Sequence, residues 1–374
     1  MEDIFMKKVN AVIACLLVVF MLTGCAGVEM NMQVNEDGTC RFAVTYCYQQ
    51  SLYENMKQEK PADFEQGSKE INGKTYLTFR RELTFSSIEE MKNALENNTA
   101  YINALKNGSQ APEQYKEDQY SAPFESVTLT KDTFIGKLRQ TNLSSTTQTK
   151  QTGNGVTDIS SMVNGASGNI SMAEYYKMYG VVMDISISLP QPIRESNGQI
   201  EGNQAKWTVD NMPADEKLIA VSSDQSIFAG DKEAPVIRGV KNNTATRNPV
   251  AIHISDNVCV KDVQINGKSY FVSDFQINKQ GKFQIKAIDT NGNSSMVKFT
   301  IDRWGPNIYG VKNKKVYRKK VKLSFFDNCG IKYIKVNGKK QKARKKLVIR
   351  KKGKNTVIAC DKAGNQSKVV FTIK

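Results

Sequence analysis

The alternation of apolar and polar positions is clearest in the second half of the chain. Val250, Ile252 and Ile254 alternate with Ala251, His253 and Ser255, and Val321, Leu323 and Phe325 repeat the pattern. Period-2 alternation predicts strands with one face in a core. Phe283, Ile285 and Ala287 give another strand, which runs into the turn sequence Asp289-Thr290-Asn291-Gly292-Asn293. Asn266-Gly267 and Asn337-Gly338 predict type I′ hairpins, which need positive φ at both central residues. Short strands with turns about every 8–12 residues predict small β-sandwiches.

The first half is patterned differently. Met30, Met32 and Val34 alternate, Glu36-Asp37-Gly38 turns, and Phe42, Val44 and Tyr46 alternate back, which predicts a hairpin. A short helix is predicted over Gln50 to Lys60, and a strand with Tyr76 and Phe79 after Asn72-Gly73. Ser87-Ile88-Glu89-Glu90 fits a capping box, so a helix is predicted from Ile88 to about Asn97. Val127 to Leu129 and Phe134 to Leu138 predict a hairpin around Lys131-Asp132. Val181 to Leu189, Gln204 to Val209 and Leu218 to Val221 predict the closing strands, with Trp207 read as core. Residues 141–171 are rich in Ser, Thr, Asn and Gly and are expected to form a mobile insertion. The expected fold class is therefore multidomain: an α+β domain over 25–225, then two all-β sandwiches over 231–302 and 303–374.

The two sandwiches are copies. Ala234-Pro235-Val236-Ile237-Arg238-Gly239-Val240-Lys241-Asn242 lines up with Gly305-Pro306-Asn307-Ile308-Tyr309-Gly310-Val311-Lys312-Asn313, an offset of 71. Asp256-Asn257 meets Asp327-Asn328. After one inserted residue, Asp289-Thr290-Asn291-Gly292-Asn293 meets Asp361-Lys362-Ala363-Gly364-Asn365. A repeat this long marks one structural unit per copy. The leading Pro, the Asp-Asn before a strand, the Asn-Gly-Lys hairpin and the Asp-x-x-Gly-Asn ending resemble the bacterial Ig-like domains of secreted and surface proteins. The resemblance implies a fold and little about function.

Met6-Lys7-Lys8, an apolar run from Ala11 to Met21 and the ending Leu22-Thr23-Gly24-Cys25 have the layout of a secretory signal over 1–24. The ending resembles the bacterial lipobox. That implies cleavage before Cys25 and a diacylglyceryl group on its sulfur; an ordinary secretory signal with a coincidental Cys is the alternative. Translation starts at Met1 or Met6, and Cys15 leaves with the signal. No later stretch reaches about 18 apolar residues, so the expected anchor is lipid. The expected location is the extracytoplasmic face of a bacterial cell membrane.

A second resemblance rests on short motifs across 26–225: Met-x-x-x-Val-Asn-Glu-Asp-Gly-Thr, the segment Phe85-Ser86-Ser87-Ile88-Glu89-Glu90, Ile187-Ser188-Leu189-Pro190, Ala205-Lys206-Trp207-Thr208-Val209 and Leu218-Ile219-Ala220-Val221-Ser222. Together they resemble the LppM-like family of bacterial lipoproteins. The resemblance implies a membrane-proximal α+β domain that contacts lipid or glycolipid, with no established catalytic residues.

Charge then separates the copies. The 374 residues include 53 Lys+Arg and 37 Asp+Glu. Residues 303–374 hold 23 basic residues against 2 acidic ones, a net of +21, whereas 231–302 is at +3 and 1–230 at −8. The fold does not require the charge, since the sister copy lacks it, so a polyanionic partner is expected. The expected contacts are Lys319, Lys320, Lys339, Lys340, Arg344, Lys345, Lys346, Arg350, Lys351 and Lys352. Candidate partners outside a bacterial membrane are teichoic acid, peptidoglycan carboxylates and anionic lipid. Export and the lack of a stacking motif argue against nucleic acid. The preponderance of Lys over Arg suits point-charge attraction.

Candidate chemistry is sparse. The one histidine, His253, removes mechanisms and zinc sites built on paired histidines, and its strand position points it to solvent. There is no Gly-x-Ser-x-Gly elbow, phosphate-cradling loop or Cys-x-x-Cys. Cys40 and Cys47 face opposite sides of one strand and do not pair; Cys329 and Cys360 could, though free thiols are expected. Asp256, Asp289, Asn291 and Asn293 carry the oxygen ligands calcium takes, but Asp and Asn also make side-chain-to-backbone turns, and the turn is the expectation: no metal and no cofactor. The leading reading is a non-enzymatic, lipid-anchored surface protein whose basic terminal domain contacts an anionic polymer or membrane. The alternative is a lipid- or glycolipid-binding N-terminal domain with the repeats as spacers; the third is an enzyme of unrecognised type. Oligomeric state is not set by the sequence.

Overall fold

A hairpin of β1 (Ala26–Val34) and β2 (Cys40–Gln49) turns at Gly38, whose φ of 88° suits a residue without Cβ. This computed structural model describes residues 26–55, 64–71, 73–106, 121–139, 173, 177 and 182–374. The signal segment 1–24, Cys25 and the insertion 141–171 lie outside the described residues. So does the second half of the helix predicted over 50–60, whose described part is α1 (Gln50–Asn55).

Around that hairpin, β3 (Glu65–Ile71), β4 (Lys74–Phe85), β7 (Val182–Ser188), β9 (Gln199–Glu201) and β10 (Gln204–Thr208) complete a seven-stranded sheet of order β3-β4-β2-β1-β7-β10-β9. β1 pairs with β7 in parallel, from Gly27 opposite Val182 to Gln33 opposite Ser188. A second sheet has the order β5-β6-β11-β8, from β5 (Phe124–Leu129), β6 (Thr133–Leu138), β8 (Glu195–Ser196) and β11 (Lys217–Val221). Two helices join them, α2 (Ile88–Glu96) and α3 (Asn98–Lys106). α2 starts as the capping pattern predicts: Ser87 Oγ accepts from the Glu90 backbone N–H at 3.2 Å. The Glu90 carboxylate reaches one residue further back than the motif predicts, accepting from Ser86 N at 2.8 Å. Met91, Leu95, Ile102 and Leu105 turn their apolar stripe onto Phe42, Phe124 and Leu138 in one core. Trp207 lies fully buried in it. The N-terminal part is thus mostly sheet, with short helices packed on it.

The two copies fold alike. In each, a three-stranded sheet faces a five-stranded one across its own apolar core. The first copy pairs Val236–Arg238, Val250–Ser255 and Asp274–Ile277; the second pairs Asn307–Tyr309, Val321–Phe326 and Lys346–Ile349. Both five-stranded sheets carry a bulge at the same place, between Val260 and Asp262 and between Ile331 and Tyr333. The hairpins turn as predicted, with Asn266 and Gly267 at φ 53° and 84°, and Asn337 and Gly338 at 49° and 86°. A small cluster of Ile219, Val221 and Cys259, with Ile135 and Phe228 against it, joins β11 to the first copy. Among the described residues the cysteines Cys40, Cys47, Cys259, Cys329 and Cys360 are free thiols.

Candidate functional site

The basic residues of the second copy collect along its sheet edges. Strand Lys339–Lys342 is the outer strand of the five-stranded sheet, and Lys346–Ile349 the outer strand of the three-stranded one. The chain from 339 to 352 therefore crosses from one edge to the other, closing an open side of the sandwich with Lys339, Lys340, Lys342, Arg344, Lys345, Lys346, Arg350, Lys351 and Lys352. All ten residues expected to make contact are exposed. None of the ten is in an ion pair among the described residues. Lys340 lies over the Tyr333 ring at 4.4 Å. Lys319 and Lys320 sit apart from this strip, just before strand Val321–Phe326.

Lysine on an edge strand also blocks strand addition by another chain. The sister copy shows how little of this is needed: its edge strands Lys268–Tyr270 and Asp274–Ile277 hold one lysine and one aspartate. The excess in the second copy is therefore beyond edge protection.

Sequence reading missed what lies beside the strip. Cross-strand partners share a face, and the outer face of the three-stranded sheet pairs Asn307 with Phe326, Tyr309 with Ser324, Lys322 with Val348 and Ser324 with Lys346. Tyr309, Phe326 and Val348 on that face are 54%, 62% and 38% exposed, so apolar groups stand in water between lysines. The signal lay in the outward positions of the alternation, where Ser255 of the first copy is replaced by Phe326 in the second. A cleft of about 710 Å³ between the copies adds Lys282, Lys298, Lys332 and Lys362.

The other candidates resolve as follows. His253 lies on the outer face of the first copy, its Nδ1 against the Asp274 carboxylate. Trp207 is core, its indole N–H donating to Asn197 Oδ1 at 2.9 Å. In the N-terminal part a groove of about 650 Å³ lies between β4, α2 and α3. Its walls include Glu82, Thr84, Glu90, Asn93, Asn103 and Lys106, largely polar for a lipid chain. No helix among the described residues is long and apolar enough to cross a membrane.

No protein-family model matches this chain. No curated relative matches it either. Among solved structures it is a weak neighbour of the folded domain of Mycobacterium tuberculosis LppM, at 10% identity and TM-score 0.26, over 54% of this chain and 92% of that one. A Bacteroides ovatus mixed-linkage glucan-utilisation protein, SGBP-B, matches at 12% identity and TM-score 0.15, over 47% of this chain and 50% of that one. Murine CEACAM1b matches at 12% identity and TM-score 0.22, over 37% of this chain and all of that one. At these scores none carries an argument about fold or function.

Proposed function

We propose that the chain is a lipid-anchored surface protein without catalytic function, held by Cys25 and working through its basic terminal copy, an Ig-like domain that lies against an anionic membrane surface. The observation that carries the reading is the face on which exposed Tyr309, Phe326 and Val348 stand beside Lys322 and Lys346 and continue into the basic strip. Lysine with exposed aromatic and aliphatic groups suits a headgroup boundary, where charge meets anionic lipid and apolar groups enter the interface. A soluble anionic polymer would use the charge and leave the apolar groups in water. The diacylglyceryl group supplies two acyl chains for anchoring, and a basic patch adds a further attachment that draws the terminal copy to the surface.

The test is co-sedimentation of the unlipidated Cys25→Ala chain with phosphatidylglycerol and phosphatidylcholine vesicles, so that binding reports the basic copy and not the anchor. Each Lys or Arg near an anionic surface contributes about 1 kcal/mol. Replacing Arg350, Lys351 and Lys352 with Gln should weaken binding to phosphatidylglycerol by about 3 kcal/mol, on the order of 100-fold. Phe326→Ser should weaken it further without changing the salt dependence. Equal binding to both vesicles, or binding to purified teichoic acid that Phe326→Ser leaves unchanged, would overturn the membrane reading. Cys25→Ala should move the protein out of the membrane fraction of cells.

A further inference from the structure

Each copy is entered through an aspartate, Asp231 or Asp302, that meets two others within that copy. Asp231, Asp256 and Asp289 bring one carboxylate oxygen each to within 4.8 Å of one another, and Asp302, Asp327 and Asp361 do the same, with the Cys329 thiol among them. The two groups are equivalent under the repeat: Asp231 corresponds to Asp302, Asp256 to Asp327 and Asp289 to Asp361. Each sits where one unit hands the chain to the next. Asp231 follows Phe228, which packs against β11, and Asp302 follows the last strand of the first copy.

Turn formation accounts for only part of these carboxylates. In the first group Asp256 Oδ1 accepts from Val258 N at 2.9 Å and Cys259 N at 3.0 Å, and Asp231 Oδ1 accepts from Asn257 Nδ2 at 3.0 Å. In the second, Asp327 Oδ1 accepts from Cys329 N and Gly330 N, both at 2.9 Å. Asp289 and Asp361 each accept at both oxygens from the backbone and side-chain N–H groups of Asn293 and Asn365, and Asp302 Oδ1 accepts from Trp304 N at 3.1 Å. Oδ2 of Asp231, Asp256 and Asp302 are buried and without a partner among the described residues. Asp302 is 0% exposed, so its second oxygen is held from water and from any donor beside two other carboxylates. None of the six aspartates is in an ion pair among the described residues. Buried polar atoms are nearly always paired, and a buried carboxylate even more so. Three acids gathered at each junction, with a buried carboxylate oxygen left without a donor, form a donor set that a cation would complete.

We propose that each junction binds a divalent cation of the calcium class, through Asp231, Asp256 and Asp289 at the first and Asp302, Asp327 and Asp361 at the second. An all-carboxylate donor set suits a hard cation that completes its shell with backbone carbonyls and water. Each site ties the linker aspartate to both sheets of its copy, so metal stiffens the chain where units meet. This assignment is independent of the membrane reading.

The experiment is calorimetric titration of the EDTA-stripped full chain with Ca²⁺, alongside Tb³⁺ luminescence excited through tryptophan. Trp304 lies two residues beyond Asp302, and its carbonyl accepts from Asn365 Nδ2. Wild type should take up two Ca²⁺, one per group, with Tm higher in Ca²⁺ than in EDTA. Asp302→Asn and Asp231→Asn should each lose one equivalent, and Tb³⁺ emission should vanish in Asp302→Asn and persist in Asp231→Asn. Circular dichroism in EDTA shows whether each variant is folded, and the wild-type isotherm stands whatever it shows. No Ca²⁺ uptake by wild type at millimolar concentration would overturn the assignment. So would two equivalents retained by both folded variants, or uptake of Zn²⁺ alone that is lost in Cys329→Ser.

Discussion

Asn197 is a small side chain with an outsized structural role. Its Oδ1 accepts from the Trp207 indole N–H and from Ile219 N, both at 2.9 Å. Its Nδ2 donates to the Lys217 carbonyl at 2.7 Å and lies 3.2 Å from Cys259 Sγ. One amide thus ties the core tryptophan to β11 and β11 to the first copy. Asn197→Ala leaves two buried donors unpaired, since Trp207 and Ile219 are both 0% exposed. An orphaned buried donor costs about 1–3 kcal/mol, so the expected loss is about 4 kcal/mol for the pair. With a urea slope of about 3 kcal/mol/M for a unit of this size, the midpoint should fall by about 1.3 M. The chain has only two tryptophans. In a Trp304→Phe background, Trp207 fluorescence follows the N-terminal unit alone. A double-mutant cycle with Trp207→Phe, all four corners read by circular dichroism, should return a coupling above about 1 kcal/mol. A midpoint shift under about 0.3 M, or no coupling, would refute the claim that this amide pairs those two buried donors.

Three further outcomes are expected. Gly239 and Gly310 sit at φ 97° and 93°, and a Cβ there would meet the Ala251 carbonyl at 1.8 Å and the Lys322 carbonyl at 2.0 Å. Gly239→Ala and Gly310→Ala should each therefore cost about 3 kcal/mol or more in the affected copy, read by urea melts. Burial pushes the Asp215 carboxyl above its ordinary 3.8, against the pull of Lys137. A raised acid binds its proton more tightly folded than unfolded, so stability from this group falls as pH rises from 3.8 toward the folded value. The wild-type-minus-Asp215→Asn difference in unfolding free energy should decline across that window; a rising difference refutes it. Burial also pushes the thiols of Cys40 up to about 11 and Cys47 up to about 12, so in the native protein at pH 8 these two should react with a disulfide reagent about a hundredfold and about a thousandfold slower than free cysteine, read by mass mapping of the labelled positions.

What was legible in the sequence was local. Asn266-Gly267 and Asn337-Gly338 specify their turns by chemistry that acts over four residues. Ser87 and Glu90 mark a helix start in the same way, and alternation marks the strands of both copies. What depends on distant pairing was not legible. Nothing in β1 or β7 names the other, and their parallel pairing crosses about 150 residues of chain. The short edge strands β8 and β9 carry two and three residues, too few for a period. The ten basic contacts were readable as charge, but the exposed face of Tyr309, Phe326 and Val348 appears only when three strands are set side by side. Asp256 and Asp289 were visible as possible oxygen ligands. Asp231 and Asp302 were not, because each lies about 25 residues or more along the chain from the other two acids of its group, and only folding brings them together.

The place of β1 carries one more consequence. It begins at Ala26, one residue after Cys25, and runs between β2 and β7 in the interior of the seven-stranded sheet. With a lipid on Cys25, no slack tether would separate the acyl chains from folded protein. The first residue of the mature chain would leave the bilayer already committed to a rigid strand. Such a domain has little freedom to swivel or stand off, so the membrane normal and the strand direction become coupled. The repeats would then start from a fixed bearing, and any bend needed to bring the basic face down would fall to the junctions alone.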